Sequence, residues 1–148
     1  AGYDNWRKAL EHVEDTGMKV LVENTAGGKN SVARYMDSIE RLWEVIGHLN
    51  VGLCLDTCHT WAGGIPTIDA VKGFKKLVKK IDLIHFNDSK DGFESSRDRH
   101  ENLGKGKIPK EELEYVIKNA KTDIIVETPN GPDAQKKDIA WIKRRLKK

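Results

Sequence analysis

Short apolar runs alternate with amphipathic stretches along the chain, and each apolar run ends in a polar side chain. The four runs are KVLVE, VGLCLD, IDLIH and DIIVE, which end at Glu23, Asp56, His85 and Glu127. Apolar residues at helical spacing predict helices over about 4–16, 31–49, 67–80, 109–120 and 133–147, and Asn30 and Ser31 can cap the second of these. Strands that alternate with helices in this way predict parallel βα units.

Side chains two residues apart on a strand lie on one side of the sheet. Each terminal polar residue therefore shares a side with the apolar residue two positions earlier, namely Leu21, Cys54, Leu83 and Ile125. In a (β/α)8 barrel that side is the interior, and the carboxyl ends of the strands carry the active site. A full barrel takes roughly 250 residues. We therefore predict an α/β fold that is half of a TIM barrel over 1–148, with a small doubly wound sheet as the alternative.

Composition and charge restrict the class of protein further. The chain has 148 residues, 33% charged and 38% hydrophobic, with a net charge of +3. No apolar run approaches the roughly 20 residues of a membrane span, and the first residues lack a signal-peptide core. The two cysteines, Cys54 and Cys58, fit buried thiols in a reducing compartment. We expect a cytoplasmic protein without a membrane partner.

The four strand-end side chains predict a cation site. Taken singly, an acid at such a position is usually a helix cap, and a lone histidine there is usually structural. Together, Glu23, Asp56 and Glu127 would repel one another unless a positive charge neutralised them. With His85 added, the mixed oxygen and nitrogen ligands suit Zn²⁺ or Mn²⁺.

A second ligand set lies in the segments that follow. His59 is three residues after Asp56, at the start of the loop expected there, and DRH places Asp98 and His100 two apart in an extended loop. One aspartate and two histidines suit a three-ligand zinc site with an open position. Two neighbouring ions would stabilise an in-line phosphoryl displacement. The flanking cations Arg97, Arg99 and Lys105 would bind phosphates. The alternative is a solvated charged loop.

Five motifs occur together over residues 20 to 130: LVENTAG, GLCLDTCH, IHFNDSK, DRHENLGKG and IIVETPN. In this combination the chain resembles the endonuclease IV family of zinc-dependent apurinic/apyrimidinic endonucleases. The resemblance implies a TIM barrel with three clustered zinc ions. It also implies DNA repair by hydrolysis of the phosphodiester 5′ to an abasic site, in which a zinc-bridged hydroxide attacks phosphorus.

The resemblance assigns each ligand a place. Glu23 resembles the carboxylate that bridges the first and second zinc ions of the family. The other ligands of the second zinc ion correspond to Asp56, His85 and Glu127. The ligands of the family's third zinc ion correspond to His59, Asp98 and His100. The catalytic carboxylates are then Glu23, Asp56 and Glu127. The two histidines of the first zinc come from earlier strands in the family, and Gly28 stands where the family commonly has a glutamine that contacts DNA.

The resemblance therefore covers the C-terminal half of the family's barrel, strands five to eight, with two of three zinc sites retained. We expect this chain alone to be inactive or weak. An open half-barrel would expose the four inward apolar residues and two strand edges, which predicts a homodimer or association with the missing half. A metal-dependent sugar isomerase or epimerase and a non-catalytic half-barrel remain alternatives.

Overall fold

Four parallel strands form the central sheet of the protein. The computed structural model describes residues 2–147. The strands are β1 (Val20–Glu23), β2 (Val51–Asp56), β3 (Leu83–His85) and β6 (Asp123–Ile125). They lie in the order β1-β2-β3-β6, and every neighbouring pair is parallel. A two-stranded antiparallel ribbon, β4 (Asp88–Ser89) with β5 (His100–Glu101), lies in the long segment after β3.

In the described part of the chain, six helices flank or connect the strands: the first precedes β1, the last follows β6, and the other four lie between strands. They are α1 (Gly2–Glu14), α2 (Met36–Ile46), α3 (Thr57–Gly63), α4 (Thr67–Leu77), α5 (Lys110–Ala120) and α6 (Gly131–Leu146). Five of the six correspond to predicted helices, with ends that differ by several residues. Within residues 2–147, no helix combines the length and the apolarity that a membrane crossing requires.

One face of the sheet is packed against the helices and forms the core. The outward residues Leu53, Leu55 and Ile84 are fully buried there. The helices contribute apolar residues to the same cluster, among them Ile39, Val71, Phe74, Leu113, Val116 and Trp141. A smaller cluster joins Leu10 of α1 to Val22 of β1 and to α2. All the large helices therefore cover a single face of the sheet.

The start of α2 differs from the prediction. Asn30 and Ser31 were expected to cap a helix from residue 31, whereas the helix begins at Met36 after an N-cap at Tyr35. The side chain of Arg34 donates to the carbonyl of Gly63 at 3.1 Å and to Ser96 Oγ at 2.8 Å. These tertiary contacts hold the preceding segment in a loop, so the prediction of a cap at residues 30–31 was wrong.

Residues 57–63 were expected to form a loop, and they form helix α3 instead. The Asp56 carboxylate caps this helix, because its Oδ1 accepts a hydrogen bond from the backbone N–H of His59 at 2.8 Å. Gly64 ends the helix with a φ of 94°, a left-handed conformation that glycine adopts without strain. The predicted ligand Asp56 therefore also begins a helix.

Two buried aspartates hold the long segment over 86–108. The Asp88 carboxylate accepts hydrogen bonds from four backbone N–H groups, those of Ser89, Gly104, Gly106 and Ile108, at 2.8–3.1 Å. A side chain at Gly106 would collide with this carboxylate. Asp138 of α6 accepts from Asn102 Nδ2, Leu103 N and Thr128 Oγ1 at 2.7, 3.0 and 2.6 Å. The loop is therefore fixed by internal hydrogen bonds.

The other face of the sheet carries no helix among the described residues. Its apolar side chains were expected to be exposed in an isolated half-barrel, and Ile125 is 48% exposed. Leu21 and Leu83 are only partly exposed, and Cys54 is buried at 3%. The expectation was wrong for Cys54, because this small side chain lies between Glu23 and His85 of the neighbouring strands. Of these four inward side chains, Ile125 of β6 is therefore the most exposed.

Candidate metal centre

The parallel sheet brings the predicted strand-end ligands to one rim. Asp56 pairs directly with His85 across β2 and β3, and His85 pairs with Ile125, two residues before Glu127. Glu23 ends the neighbouring strand β1. Because the strands run in the same direction, their final side chains meet at the same edge.

The four strand-end residues converge on a common space, and we call them the strand-end cluster: Glu23, Asp56, His85 and Glu127. One ligand atom from each lies within 4.8 Å of the others. The Nδ1 atom of His85 is 3.1 Å from Glu23 Oε1 and 3.2 Å from Glu127 Oε2. Three carboxylates and one imidazole at this separation match the donor set of a divalent cation.

His59, Asp98 and His100 form a second group, which we call the loop cluster. Asp98 Oδ1 is 3.1 Å from the Nε2 atoms of both His59 and His100. Both Nε2 atoms are buried, and within residues 2–147 neither of them makes a contact with hydrogen-bond geometry, the short approach to Asp98 included. Asp56 connects the two clusters, because its Oδ2 is 3.6 Å from His100 Nε2.

The other ring nitrogens of these histidines contact backbone carbonyls. His59 Nδ1 lies 2.8 Å from the carbonyl oxygen of Asn24, and His100 Nδ1 lies 3.2 Å from that of Glu127. A carbonyl oxygen can only accept, so Nδ1 carries a hydrogen, and Nε2 is the nitrogen that a cation can bind in place of a proton. Two such Nε2 atoms directed at one carboxylate fit a cation held between them.

The electrostatics of the centre favour positive charge. Burial lowers the pKa of His59, but its contact with Glu23 and the charges of Asp56 and Asp98 outweigh burial and raise the pKa to about 10. Burial tends to raise the pKa of Glu23, yet the imidazoles of His59 and His85 lower it overall. Carboxylates that hold a proton on an imidazole would equally attract a metal cation.

Both cysteines lie near the centre as free, buried thiols. Burial raises the pKa of Cys54 and of Cys58 to about 12, so each thiol is protonated at neutral pH. The described structure therefore agrees with the prediction of two buried thiols.

The three cations predicted to bind phosphates have different surroundings. Arg99 forms a bidentate pair with Asp91, at 2.7 and 2.6 Å, and Arg97 lies 3.6 Å from the same carboxylate. Lys105 instead lines a groove of about 450 Å³ along α6, together with Lys137 and Arg144. The carboxylate of Asp91 thus offsets the positive charge of the arginines but leaves that of Lys105.

Two asparagines that the sequence did not single out hold the ligands in place. The side chain of Asn24 accepts from the backbone N–H of Asp56 at 2.8 Å and donates to its carbonyl at 3.2 Å. Asn87 links the carboxylate of Asp56 to the backbone of Glu127. Each asparagine lies within two residues of a predicted ligand, which is the only local signal for its role.

A sequence model described as a xylose isomerase-like TIM barrel matches residues 2–145, and the chain belongs to this family. Within the family, its resemblance to endonuclease IV is confirmed by known proteins. The chain is 48% identical over 144 residues to a probable endonuclease 4 of Mycobacterium tuberculosis, which covers 97% of this chain and 56% of that protein. A probable endonuclease 4 of Mycobacterium ulcerans is 46% identical over 145 residues, with 98% and 56% covered.

Solved structures give the same result for the fold. Endonuclease IV from Thermus thermophilus superposes with a TM-score of 0.80 at 28% identity, covering 98% of this chain and 58% of that one. A D-tagatose 3-epimerase-like protein superposes with a TM-score of 0.70 at 19% identity, over 98% and 53%, which shows the fold alone. The chain spans about half the length of these relatives, and the predicted half-barrel fold is confirmed.

Proposed function

We propose that this chain is the metal-binding half of a DNA repair endonuclease that hydrolyses the phosphodiester 5′ to abasic sites. The observation that carries the proposal is the convergence of seven predicted ligands into two adjoining clusters. Two of their imidazole nitrogens are buried and make no hydrogen bond to any residue that the structure describes. The similarity to proteins named endonuclease 4 supports the same reaction.

The two clusters would each hold one divalent cation, and nitrogen with oxygen ligands favours Zn²⁺ or Mn²⁺. Bound cations would supply Lewis-acid stabilisation of the phosphoryl oxygens and an activated water. Glu23 faces both clusters, since its Oε1 is 3.1 Å from His85 Nδ1 and 3.3 Å from His59 Nδ1. Glu23, Asp56 and Glu127 would offset the charge of the cations at the reacting phosphate and orient the attacking water.

The basic residues at the rim would position the DNA. Arg97 and Arg99 are exposed beside Asp98 of the loop cluster, and Lys105 follows along the same loop. Contacts from arginine and lysine to phosphate oxygens fix the register of DNA without reading its sequence. A DNA repair enzyme of this kind would act in the cytoplasm, as the composition and the free thiols predict.

The open sheet suggests a partner that completes the barrel. The edge at β6 borders a groove of about 560 Å³, and Ile125, Ile139 and Leu146 are exposed along it. A complete barrel has eight strands and eight helices, whereas this chain supplies four strands and five long helices. Two copies of this chain would supply ten long helices, whereas the outer ring of a barrel has places for eight. We therefore propose a complementary half with four strands and three helices as the partner, rather than the homodimer.

Metal content and catalysis together test the proposal. We expect close to two zinc ions per chain, little incision of an abasic duplex by the chain alone, and incision when the complementary half is added in trans. His100→Ala should abolish the restored incision. One ion per chain would favour a sugar isomerase, which the second ligand cluster argues against. No incision by the correctly assembled barrel would contradict the proposed reaction and leave a non-catalytic module.

A further inference from the structure

Asn87 lies between two ligand-bearing strands and is fully buried. Its Nδ2 donates to Asp56 Oδ2 at 2.8 Å, and its Oδ1 accepts from the backbone N–H of Glu127 at 2.8 Å. These partners determine the orientation of the amide, because a carboxylate without a proton can only accept and a backbone N–H can only donate.

The backbone of Asn87 is fixed as firmly as its side chain. Its N–H donates to Thr57 Oγ1 at 2.8 Å, and the Thr57 hydroxyl donates to its carbonyl at 2.6 Å. Thr57 is the first residue of α3, directly after Asp56. All four polar groups of Asn87 are therefore paired within the chain, which leaves its side chain little freedom to reorient.

This arrangement connects strands that the sheet does not join. β2 and β6 both pair with β3 and are not neighbours. The ladder between β3 and β6 reaches only to His85 and Ile125. Beyond that point, Glu127 is held through its N–H by Asn87 and through its carbonyl by His100. Asn87 thus replaces the missing ladder at the position where Glu127 must be placed.

The contact also restrains the Asp56 carboxylate. Its Oδ1 accepts from the backbone N–H of His59, and its Oδ2 accepts from Asn87, so the plane of the carboxylate is set from both sides. Each oxygen keeps a second lone pair for a cation. Polar partners of this kind orient metal ligands and tune their affinity.

We propose that Asn87 is the positioning residue of the strand-end cluster, holding Asp56 and Glu127 at ligand separation before a cation binds. The proposal rests on the cation site in the proposed function, and it assigns Asn87 no contact with substrate. It implies that loss of Asn87 affects the two clusters differently. Cation binding by the strand-end cluster should weaken, whereas His59, Asp98 and His100 should still bind a cation.

The test is a titration of the full chain with Zn²⁺ against a chromophoric chelator, repeated with Co²⁺ to follow its absorption bands. We expect Asn87→Ala to weaken one of the two binding steps by about 10–100-fold and to leave the other unchanged. Asn87→Ser, which keeps a small polar group in the site, should show the same selective loss if the alanine variant folds poorly. The Co²⁺ spectrum should lose the contribution of one site.

Thr60→Val is the matched control, because Thr60 is buried on α3 and its hydroxyl forms hydrogen bonds with Thr57 and Thr67, neither of which is a predicted ligand. The thermal midpoint of each protein in chelator measures its structural cost. Equal weakening of both steps, or weakening that follows the thermal midpoint across all variants, would show a merely structural role and overturn the inference. Wild-type binding in Asn87→Ala would also overturn it. If the wild-type chain binds no ion, the proposed function fails together with it.

Discussion

The rim of the sheet is held by hydrogen bonds within the chain, whereas the inner face of the sheet is partly uncovered. At the rim, buried polar residues such as Asp56, Asn87, Asp88 and Asp138 are hydrogen-bonded within the chain. On the inner face near β6, the side chain of Ile125 is 48% exposed, and no helix among the described residues covers it. The rim is therefore preorganised, while the inner face and the strand edges lack a covering layer.

Cation binding at the rim and closure of the barrel therefore depend on different parts of the molecule. Ligand geometry depends on hydrogen bonds that the half-barrel makes by itself, so cation binding should not need barrel closure. Closure depends on apolar surface and on unpaired strand edges, which only another segment can cover.

The largest effect should come from Asp88→Ala, which removes the acceptor of four backbone N–H groups in the rim loop. Buried donors without partners are costly, and we expect a loss of about 3–5 kcal/mol in the free energy of unfolding. Urea denaturation followed by circular dichroism measures it. Asp88→Asn keeps one acceptor oxygen and should lose less. A loss below about 1 kcal/mol for the alanine variant would show that the rim loop is not held by this carboxylate.

The next effect compares two isoleucines on opposite faces of neighbouring strands. Ile84 is fully buried among the helices, and Ile125 is largely open. Ile84→Ala should cost about 2–5 kcal/mol, because it leaves a cavity in the core. Ile125→Ala should cost less than about 1 kcal/mol in the isolated chain. Urea midpoints at constant slope give both values. Equal losses would mean that the inner face is covered in solution, for example by a second copy.

Much of the fold was predictable because its signals are local. Period-two alternation and the polar residue at each strand end identified β1, β2, β3 and β6, and the same positions supplied four ligands. His59 followed from its spacing to Asp56, and Asp98 and His100 followed from their spacing to each other. The family resemblance suggested the reaction that we propose. In each case the informative residues lie within a few positions of one another along the chain.

The features that the sequence did not predict all depend on contacts between distant segments. Arg34 shifts the start of α2 by bonding to Gly63 and Ser96, which no local pattern of apolar residues reveals. Asp88 acts on N–H groups up to twenty residues away. Cys54 is buried because side chains on neighbouring strands flank it. The pairing of Arg99 with Asp91 likewise requires knowledge of how the loop closes.

Addition of zinc should stabilise the chain at the rim. A ligand present at one hundred times its dissociation constant stabilises the folded state by about 2.7 kcal/mol per site, provided that it does not bind the unfolded chain. Thermal or urea unfolding in chelator and in excess Zn²⁺ measures this gain. His59→Ala should lose the part contributed by the loop cluster, whereas Ile125→Ala should keep the full gain. Loss of the gain in Ile125→Ala would show that the two regions are coupled.

The smallest predicted effect concerns the basic residues, and it tests whether Asp91 weakens the contribution of Arg99 to DNA binding. Each phosphate contact contributes about 0.9 to the slope of log affinity against log salt. Lys105 forms no salt bridge within the described residues, so Lys105→Ala should lower the slope by close to that amount. Arg99→Ala should lower it by less, because the Asp91 carboxylate already pairs with the guanidinium.

Asp91→Asn sharpens this comparison, because it removes the carboxylate and keeps the shape of the side chain. It should release both Arg97 and Arg99, so the slope and the affinity at low salt should rise. Fluorescence anisotropy with a short duplex at several salt concentrations provides the measurement. If Arg99→Ala lowers the slope as much as Lys105→Ala, and Asp91→Asn changes nothing, then the ion pair opens when DNA binds. The arginines would then contact phosphates as fully as the sequence predicts.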